Sequence, residues 1–265
     1  MNKNELILDK VRSLVAHELG TGKAILRLTS LEDSTLNCTA ESEEVTDAIG
    51  AVITTLYRAK RATFSATNSL ISLDLAAAQY GTKKEVADAN NKFKSPTYEI
   101  LEVENGKVTL KETPVSDIKY IYGIADGELA TVYEAGESAE GDGNATKFVH
   151  AVTGDGVNAK EITVGSGITG KVYVEYEYET SEAVRVVNKA SNFPEAVSVV
   201  IYCYFRDKCN ENVVYSGKII CPKAKLNPEQ IELALTSTGK HAFEFTMMKD
   251  YCDEDADLFT ILVTE

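Results

Sequence analysis

The chain has 265 residues, of which 44% are hydrophobic and 26% are charged, a composition typical of globular proteins. Its formal net charge of −14 argues against a protein that wraps duplex DNA, because that binding needs a basic surface to neutralise phosphates. A run of 18 apolar residues is absent, and charged residues interrupt the apolar N-terminal positions. We therefore expect no membrane span, no signal peptide and synthesis in a cytosol.

The first predicted element is an amphipathic helix over residues 3–19. Ile7, Val11 and Leu14 recur at steps of four and three residues, and Gly20 follows as a helix stop. The apolar stripe could pack on its own domain or on a neighbouring copy, and the pattern leaves both open.

Two strands are predicted over residues 52–57 and 62–67, where apolar and polar residues alternate with a period of two. Arg58, Lys60 and Arg61 lie between them, which predicts a basic corner. A short helix over residues 70–80 is expected next, because its apolar residues recur at three- and four-residue steps before Gly81.

Residues 82–96 are polar, have weak periodicity and include Lys83 and Lys84, which predicts an exposed loop that orders against a partner. The Asn105–Gly106 pair then predicts a β-hairpin turn, since it stands between two β-prone runs.

After Pro114, short β-prone runs alternate with glycine turns up to residue 179, the pattern of a small antiparallel sandwich or barrel layer. We predict that residues 117–182 form a β-rich inserted module. Residues 1–116 and 183–265 are expected to form a β-sandwich or β-barrel core with a few short helices. In the run 172–179, alternation predicts a buried face formed by Val172, Val174, Tyr176 and Tyr178.

Two glycine-rich motifs resemble nucleotide-binding sequences but lack the required context. Residues 165–170 match G-x-G-x-x-G, yet an alternating strand follows where a pyrophosphate site needs a helix. Residues 20–23 lack the first glycine and the magnesium-binding hydroxyl of a P-loop. Both motifs are interpreted as turns, and no cofactor site is predicted.

Metal and nucleophile signatures are also weak. The three histidines are far apart, the acidic run over residues 250–257 lacks the glycine and glutamate of an EF-hand, and the five cysteines contain no C-x-x-C pair. The cysteines are predicted to be free thiols. The sequence therefore predicts no catalytic residue, no metal site and no enzyme.

Two segments resemble tail tube and related virion structural proteins of tailed phages that infect Gram-positive hosts. Residues 38–82, with VTDAIGAVITTLYRAKRATFSATNSLISLDLAAAQYGT, resemble the N-terminal part of such proteins. Residues 192–252, with VVIYCYFRDKCNENVVYSGKIICPKAKLNPEQ, resemble their C-terminal half. The inserted module departs from a minimal tube protein.

The resemblance implies a β-barrel protomer in a ring, usually hexameric, whose stacked rings form a tail tube through which DNA passes. The expected partners are further copies of the chain and other virion proteins, with no membrane and no sequence-specific DNA contact. The expected location is the virion tail, assembled in the host cytoplasm. An acidic balance suits a lumen that must not retain DNA. The candidate subunit-contact residues are Ile7, Val11, Leu14, Arg58, Lys60, Arg61, Lys83 and Lys84.

Two other functions stay open at this point. A head decoration or other capsid-associated protein would expose the inserted module to solvent. A host- or carbohydrate-binding β-module is suggested by tyrosines in the segments 120–133 and 173–178.

Overall fold

The structure is a computed structural model that describes residues 5–139, 145–153, 158–210, 212–229, 231–235, 239–251 and 257–264. The chain is mainly β, as predicted. In chain order the elements are β1 (Leu6–Glu18), β2 (Ala24–Leu28), β3 (Leu31–Thr46), β4 (Val52–Asn68), α1 (Leu73–Tyr80), β5 (Glu85–Val86), β6 (Phe93–Glu102), β7 (Lys107–Thr109), β8 (Tyr120–Ala125), β9 (Glu128–Ala135), β10 (Lys147–Val149), β11 (Glu161–Val164), β12 (Lys171–Thr180), β13 (Val184–Arg185), β14 (Ala196–Asp207), β15 (Val214–Leu226), β16 (His241–Met247) and β17 (Thr260–Thr264). In the described residues, no helix has the length and apolar character needed to cross a membrane.

The chain divides into two compact units. Unit 1 comprises residues 1–85 and 185–265, and unit 2 comprises residues 86–184. The predicted module began at residue 117, whereas the structure places residues 86–116 with it. The reason is long-range pairing, because β6 pairs with β12 along its whole length, from Phe93 opposite Thr180 to Glu102 opposite Lys171. Periodicity within β6 contains no information about that partner.

Unit 1 is built on a sheet with the strand order β2-β1-β14-β15-β16-β4-β3, and β17 also pairs with β15. Its apolar core draws on β1, β2, β4, β14, β15 and β16 and includes Leu75 of α1. The predicted short helix is therefore confirmed as α1. Ser72 caps its N-terminus by accepting a hydrogen bond from the Leu75 amide at 3.2 Å.

The predicted N-terminal helix is wrong, because residues 6–18 form β1, which lies between β2 and β14. A β-bulge between Val11 and Ser13 explains the step of three residues in the helix-like spacing. Val11 lies opposite Cys203 and Leu14 opposite Ile201, so three residues of β1 span two residues of β14. The extra residue puts Val11 and Leu14 on one face of β1 despite their odd spacing, whereas Ile7, beyond a second bulge between Leu8 and Lys10, is exposed.

The predicted basic corner is wrong as well, since β4 runs without a break from Val52 to Asn68. Between the pairs Thr39–Arg61 and Glu41–Arg58, β4 has one more residue than β3. This bulge contains Ala59, whose φ is +53°. The predicted loop over residues 82–96 is shorter than expected, because β5 and the start of β6 occupy part of it.

Unit 2 contains a sheet with the order β6-β12-β8-β9-β10-β11-β7. Its first and last strands are joined by the predicted turn, in which Asn105 and Gly106 both have positive φ. Glu104 and Lys107 exchange two backbone hydrogen bonds of 3.0 Å across this turn. The predicted face of β12 is buried at Val172, Val174 and Tyr176 and half-buried at Tyr178.

His241 joins α1 to the sheet in the core of unit 1. Its side chain is 0% exposed, and its Nε2 lies 2.5 Å from Oε1 of Gln79 on α1. Gln79 in turn donates through Nε2 to the Ala242 carbonyl oxygen at 3.1 Å. The Nδ1 atom of His241 has no hydrogen-bond partner among the described residues, and burial lowers the pKa of the imidazole. The folded protein therefore holds a neutral histidine.

We expect unit 1 to lose stability as the pH falls below about 6.5, the pKa of an unfolded histidine. In that range the unfolded chain binds a proton that folded His241 excludes, so the stability falls by at most about 1.4 kcal/mol per pH unit. Urea unfolding between pH 7 and pH 5 measures the slope. The variant His241→Gln should reduce this dependence of stability on pH. His17→Gln is the control, because it replaces a different histidine. An unchanged slope in His241→Gln would contradict this assignment.

Candidate subunit-contact surface

The β3–β4 hairpin extends well beyond the rest of the unit 1 sheet. β16 pairs with β4 only from Ala62 to Asn68, while β3 and β4 continue to pair with each other as far as Thr46 and Val52. We call residues 39–61 the hairpin arm. From Thr39 to the turn its strand is about 25 Å long at the usual rise per residue.

The hairpin arm is exposed along its whole length except at Thr55, which is half-buried. It nevertheless carries large apolar side chains. Ile53 is 66% exposed and Tyr57 76%, and Val52 and Leu56 are also exposed. Leu56 and Tyr57 are neighbours in β4 and therefore lie on opposite faces of the strand. A two-stranded hairpin is at best marginally stable alone in water, and exposed apolar strands tend to find a partner.

The turn of the hairpin arm is well ordered by its own hydrogen bonds. The Asp47 carboxylate accepts from the amides of Ile49 and Ala51 at 3.0 and 2.8 Å. Gly50 takes a φ of +85° in this turn. The turn holds Ile49 outward with 89% of its surface exposed, so the arm ends in an apolar side chain.

The predicted basic residues of the arm already have acidic partners in the same hairpin. Arg58 forms an ion pair with Glu43, and Arg61 Nη2 lies 3.7 Å from Glu41 Oε1. Lys60 is exposed beside them. Because all of these pairs are open to solvent, each contributes little stability and can be exchanged for another partner.

The three predicted contact residues of β1 differ in position. Leu14 is 0% exposed in the core of unit 1, and Val11 is half-buried against that core. Neither offers a free surface to a second subunit. Ile7 is exposed and lies opposite Arg206 near the end of β14. β1 is therefore an interior strand of the unit 1 sheet, and only its N-terminal end is exposed.

Lys83 and Lys84 line a cavity of about 640 Å³ in unit 1 at the C-terminal end of α1. Lys84 Nζ lies 2.6 Å from Asp74 Oδ1. The cavity is also lined by Lys23, Lys189, Glu18, Glu85 and Glu195, so its lysines and carboxylates are mixed. This balance of charge does not select a cation or an anion. The structure thus distributes the predicted contact residues over β1, the arm and the cavity.

The parts of the chain that the structure describes contain no group of histidine, cysteine and carboxylate side chains suited to a metal ion. The described cysteines are free thiols, as predicted. Burial raises the pKa of Cys203, and it raises that of Cys221 to about 12, so neither thiol forms a nucleophile readily. His150 is a structural residue, because its Nδ1 accepts from the Ile118 amide at 3.1 Å. Cys252 and most of the acidic run lie outside the described residues.

Sequence reasoning missed the hairpin arm as one element, because the predicted corner divided β4. One signal was available in the run 52–57. Its alternation places apolar residues on both faces, Val52 and Leu56 on one and Ile53 and Tyr57 on the other. A strand that covers its own core needs one apolar face, so two apolar faces indicate contacts outside the unit.

Comparison with known proteins gives a family for the chain. The family profile described as the YomU/Tube protein family matches residues 6–261. A comparison with curated proteins finds no match. The family name indicates a phage tube-like structural protein, a virion component of a class that is generally not enzymatic. With the match extending over nearly the whole sequence, the chain belongs to the YomU/Tube protein family.

Proposed function

We propose that the chain is the major tail protein of a phage. Six copies of this subunit self-assemble into a ring, and the rings stack into the tail tube. The hairpin arm carries this proposal. It exposes apolar side chains on both faces and at its turn, and the described residues of unit 1 do not cover them. A neighbouring copy in a ring or in the next ring would bury these faces and complete the hydrogen bonding of the free strand edges.

The edges of the unit 1 sheet support the same proposal. β2 and β3 are the terminal strands of the sheet. From Val52 to Arg61, β4 pairs with β3 on one side and has no described partner strand on the other. Each of these edges presents backbone groups that a second copy could pair. The exposed ion pairs of Arg58 and Arg61 would then set the register between copies, because charge complementarity selects orientation more than affinity.

The net charge of −14 suits a tube that conducts DNA. Carboxylates in the lumen would repel phosphates, so the DNA would pass without being retained. The tail and its assembly in the host cytoplasm follow from this proposed role, as does contact with other virion proteins at the two ends of the tube.

Negative-stain electron microscopy of the purified full-length protein tests the proposal. At rising protein concentration we expect rings and stacked tubes of uniform diameter, because association by mass action favours the buried arm. Sedimentation velocity on the same samples should show a shift from monomer to ring. A monomer at every concentration, with an intact fold by circular dichroism, would refute self-assembly.

A further inference from the structure

An aromatic band lies on the solvent face of the unit 2 sheet. Ile100 of β6 lies opposite Tyr173 of β12, Tyr173 opposite Tyr122 of β8, and Tyr122 opposite Val132 of β9. Directly opposed residues share a face, so these four form one row across neighbouring strands. Next to this row, Tyr98 lies opposite Glu175 and Tyr120 opposite Glu134. The aromatic band comprises Tyr98, Ile100, Tyr120, Tyr122, Val132 and Tyr173.

The tyrosine rings of the band are held against one another. The Tyr98 and Tyr173 ring centroids are 5.3 Å apart with an interplanar angle of 22°, and Tyr122 meets Tyr173 edge-on at 6.0 Å. Such contacts fix the rings before any ligand arrives, which reduces the entropy lost on binding. Tyr98 is still 62% exposed, so its ring remains accessible. Ile100, Tyr120 and Val132 are also exposed.

Hydrogen-bonding groups border the rings. Glu175 lies two residues beyond Tyr173 on the same face of β12, and burial together with this carboxylate raises the pKa of Tyr173. A cavity of about 200 Å³ opens beside the band and is lined in part by Asp117, Tyr120, Tyr122 and Glu175. The surface therefore combines accessible aromatic carbon with carboxylate acceptors. A pyranose ring has the complementary chemistry, with C–H groups on its faces and hydroxyl donors around its edge.

The size and charge of the band limit its occupant. Four strands about 4.8 Å apart and two rows about 7 Å apart cover only a few hundred Å². A stable protein interface needs about 800 Å² from each partner, so the band is too small to hold a second copy by itself. The Glu134 carboxylate is paired with Lys147 Nζ at 3.1 Å, and Lys119 lines the cavity together with Asp117 and Glu175, so the border carries both signs of charge. This mixed border favours neither an anion nor a cation, so a small uncharged ligand fits best.

We propose that the aromatic band binds an uncharged oligosaccharide built of hexose or N-acetylhexosamine residues. The C–H faces of successive sugars stack on Tyr98 and its neighbours, and their hydroxyls donate to Glu175. This site is a second binding function in unit 2, separate from the hairpin arm of unit 1, so it stands whether or not the arm mediates assembly.

Titration of the full-length protein with maltotetraose, cellotetraose and chitotetraose, followed by isothermal calorimetry and saturation-transfer NMR, tests the site. We expect saturable binding of at least one of them, with saturation transfer to sugar C–H protons. Tyr98→Ala and Glu175→Gln should each weaken binding about tenfold, the former through lost stacking. Tyr98→Phe should retain binding, since it keeps the ring.

Tyr251→Ala is the matched control, because Tyr251 is 91% exposed and belongs to the other unit. It should bind as the unaltered chain does. Circular dichroism melts confirm that each variant is folded, and Tyr98 is exposed enough for its truncation to be tolerated. Absence of binding by all three sugars would overturn the proposal. An equal loss in Tyr251→Ala, or stronger binding of polyphosphate than of any sugar, would overturn it as well.

Discussion

Replacing Ile53 and Leu56 with aspartate is expected to abolish ring and tube formation while leaving the monomer folded. Both side chains are exposed on the hairpin arm, so the change should alter the free energy of unfolding by no more than about 0.5 kcal/mol. In an assembled ring each aspartate would place a carboxylate in an apolar contact. Loss of one central contact of this kind costs about 2 kcal/mol or more, which is about thirtyfold in affinity per residue.

The matched control is Leu129→Asp with Val184→Asp, which adds the same charge at exposed aliphatic positions of unit 2. Sedimentation velocity and negative-stain microscopy of both double variants, with a thermal melt of each, separate a specific contact from a general effect of charge. Tubes in the control and monomers in the arm variant are the expected pair of results. If the arm variant formed normal tubes, the hairpin arm would not be part of the subunit interface.

Gly81→Ala is expected to cause a large loss of folding stability in unit 1. Gly81 ends α1 with a φ of +64°, and its amide together with that of Thr82 satisfies the last carbonyls of the helix. A Cβ atom at this position would clash with the backbone oxygen of Phe193. Left-handed strain and a backbone clash together should cost about 3 kcal/mol or more.

Gly20→Ala is the control for the strain alone. Gly20 also lies in unit 1 and has a φ of +86°, but no atom lies within 4 Å of the position its Cβ would take. It should therefore cost only about 1 to 2 kcal/mol. Chemical denaturation gives the two free energies, and hydrogen exchange over residues 72–82 reports loosening of α1. Equal losses of folding free energy in the two variants would mean that the clash with Phe193 does not contribute to the destabilisation.

Features decided by neighbouring residues were predictable. The mainly β class, the helix ended by Gly81, the Asn105–Gly106 turn and the buried face of β12 all follow from periodicity or turn chemistry within a few positions. The strand that follows residues 165–170 was predictable for the same reason, since the alternation after Gly170 is visible in the sequence. These features need no information about distant partners.

Tertiary structure decided the rest, because β-strands are specified by partners that lie far away in the chain. Pairing of β1 with β14 through two bulges made a strand from a helix-like pattern, and pairing of β6 with β12 moved the unit boundary to residue 86. Adjacent strands brought Tyr98, Tyr122 and Tyr173 into one band. Alternation in the sequence showed that residues 52–57 form a strand. Only the end of the β16 pairing at Ala62 shows that the described core does not cover these residues. This exposure makes the strand a candidate contact arm.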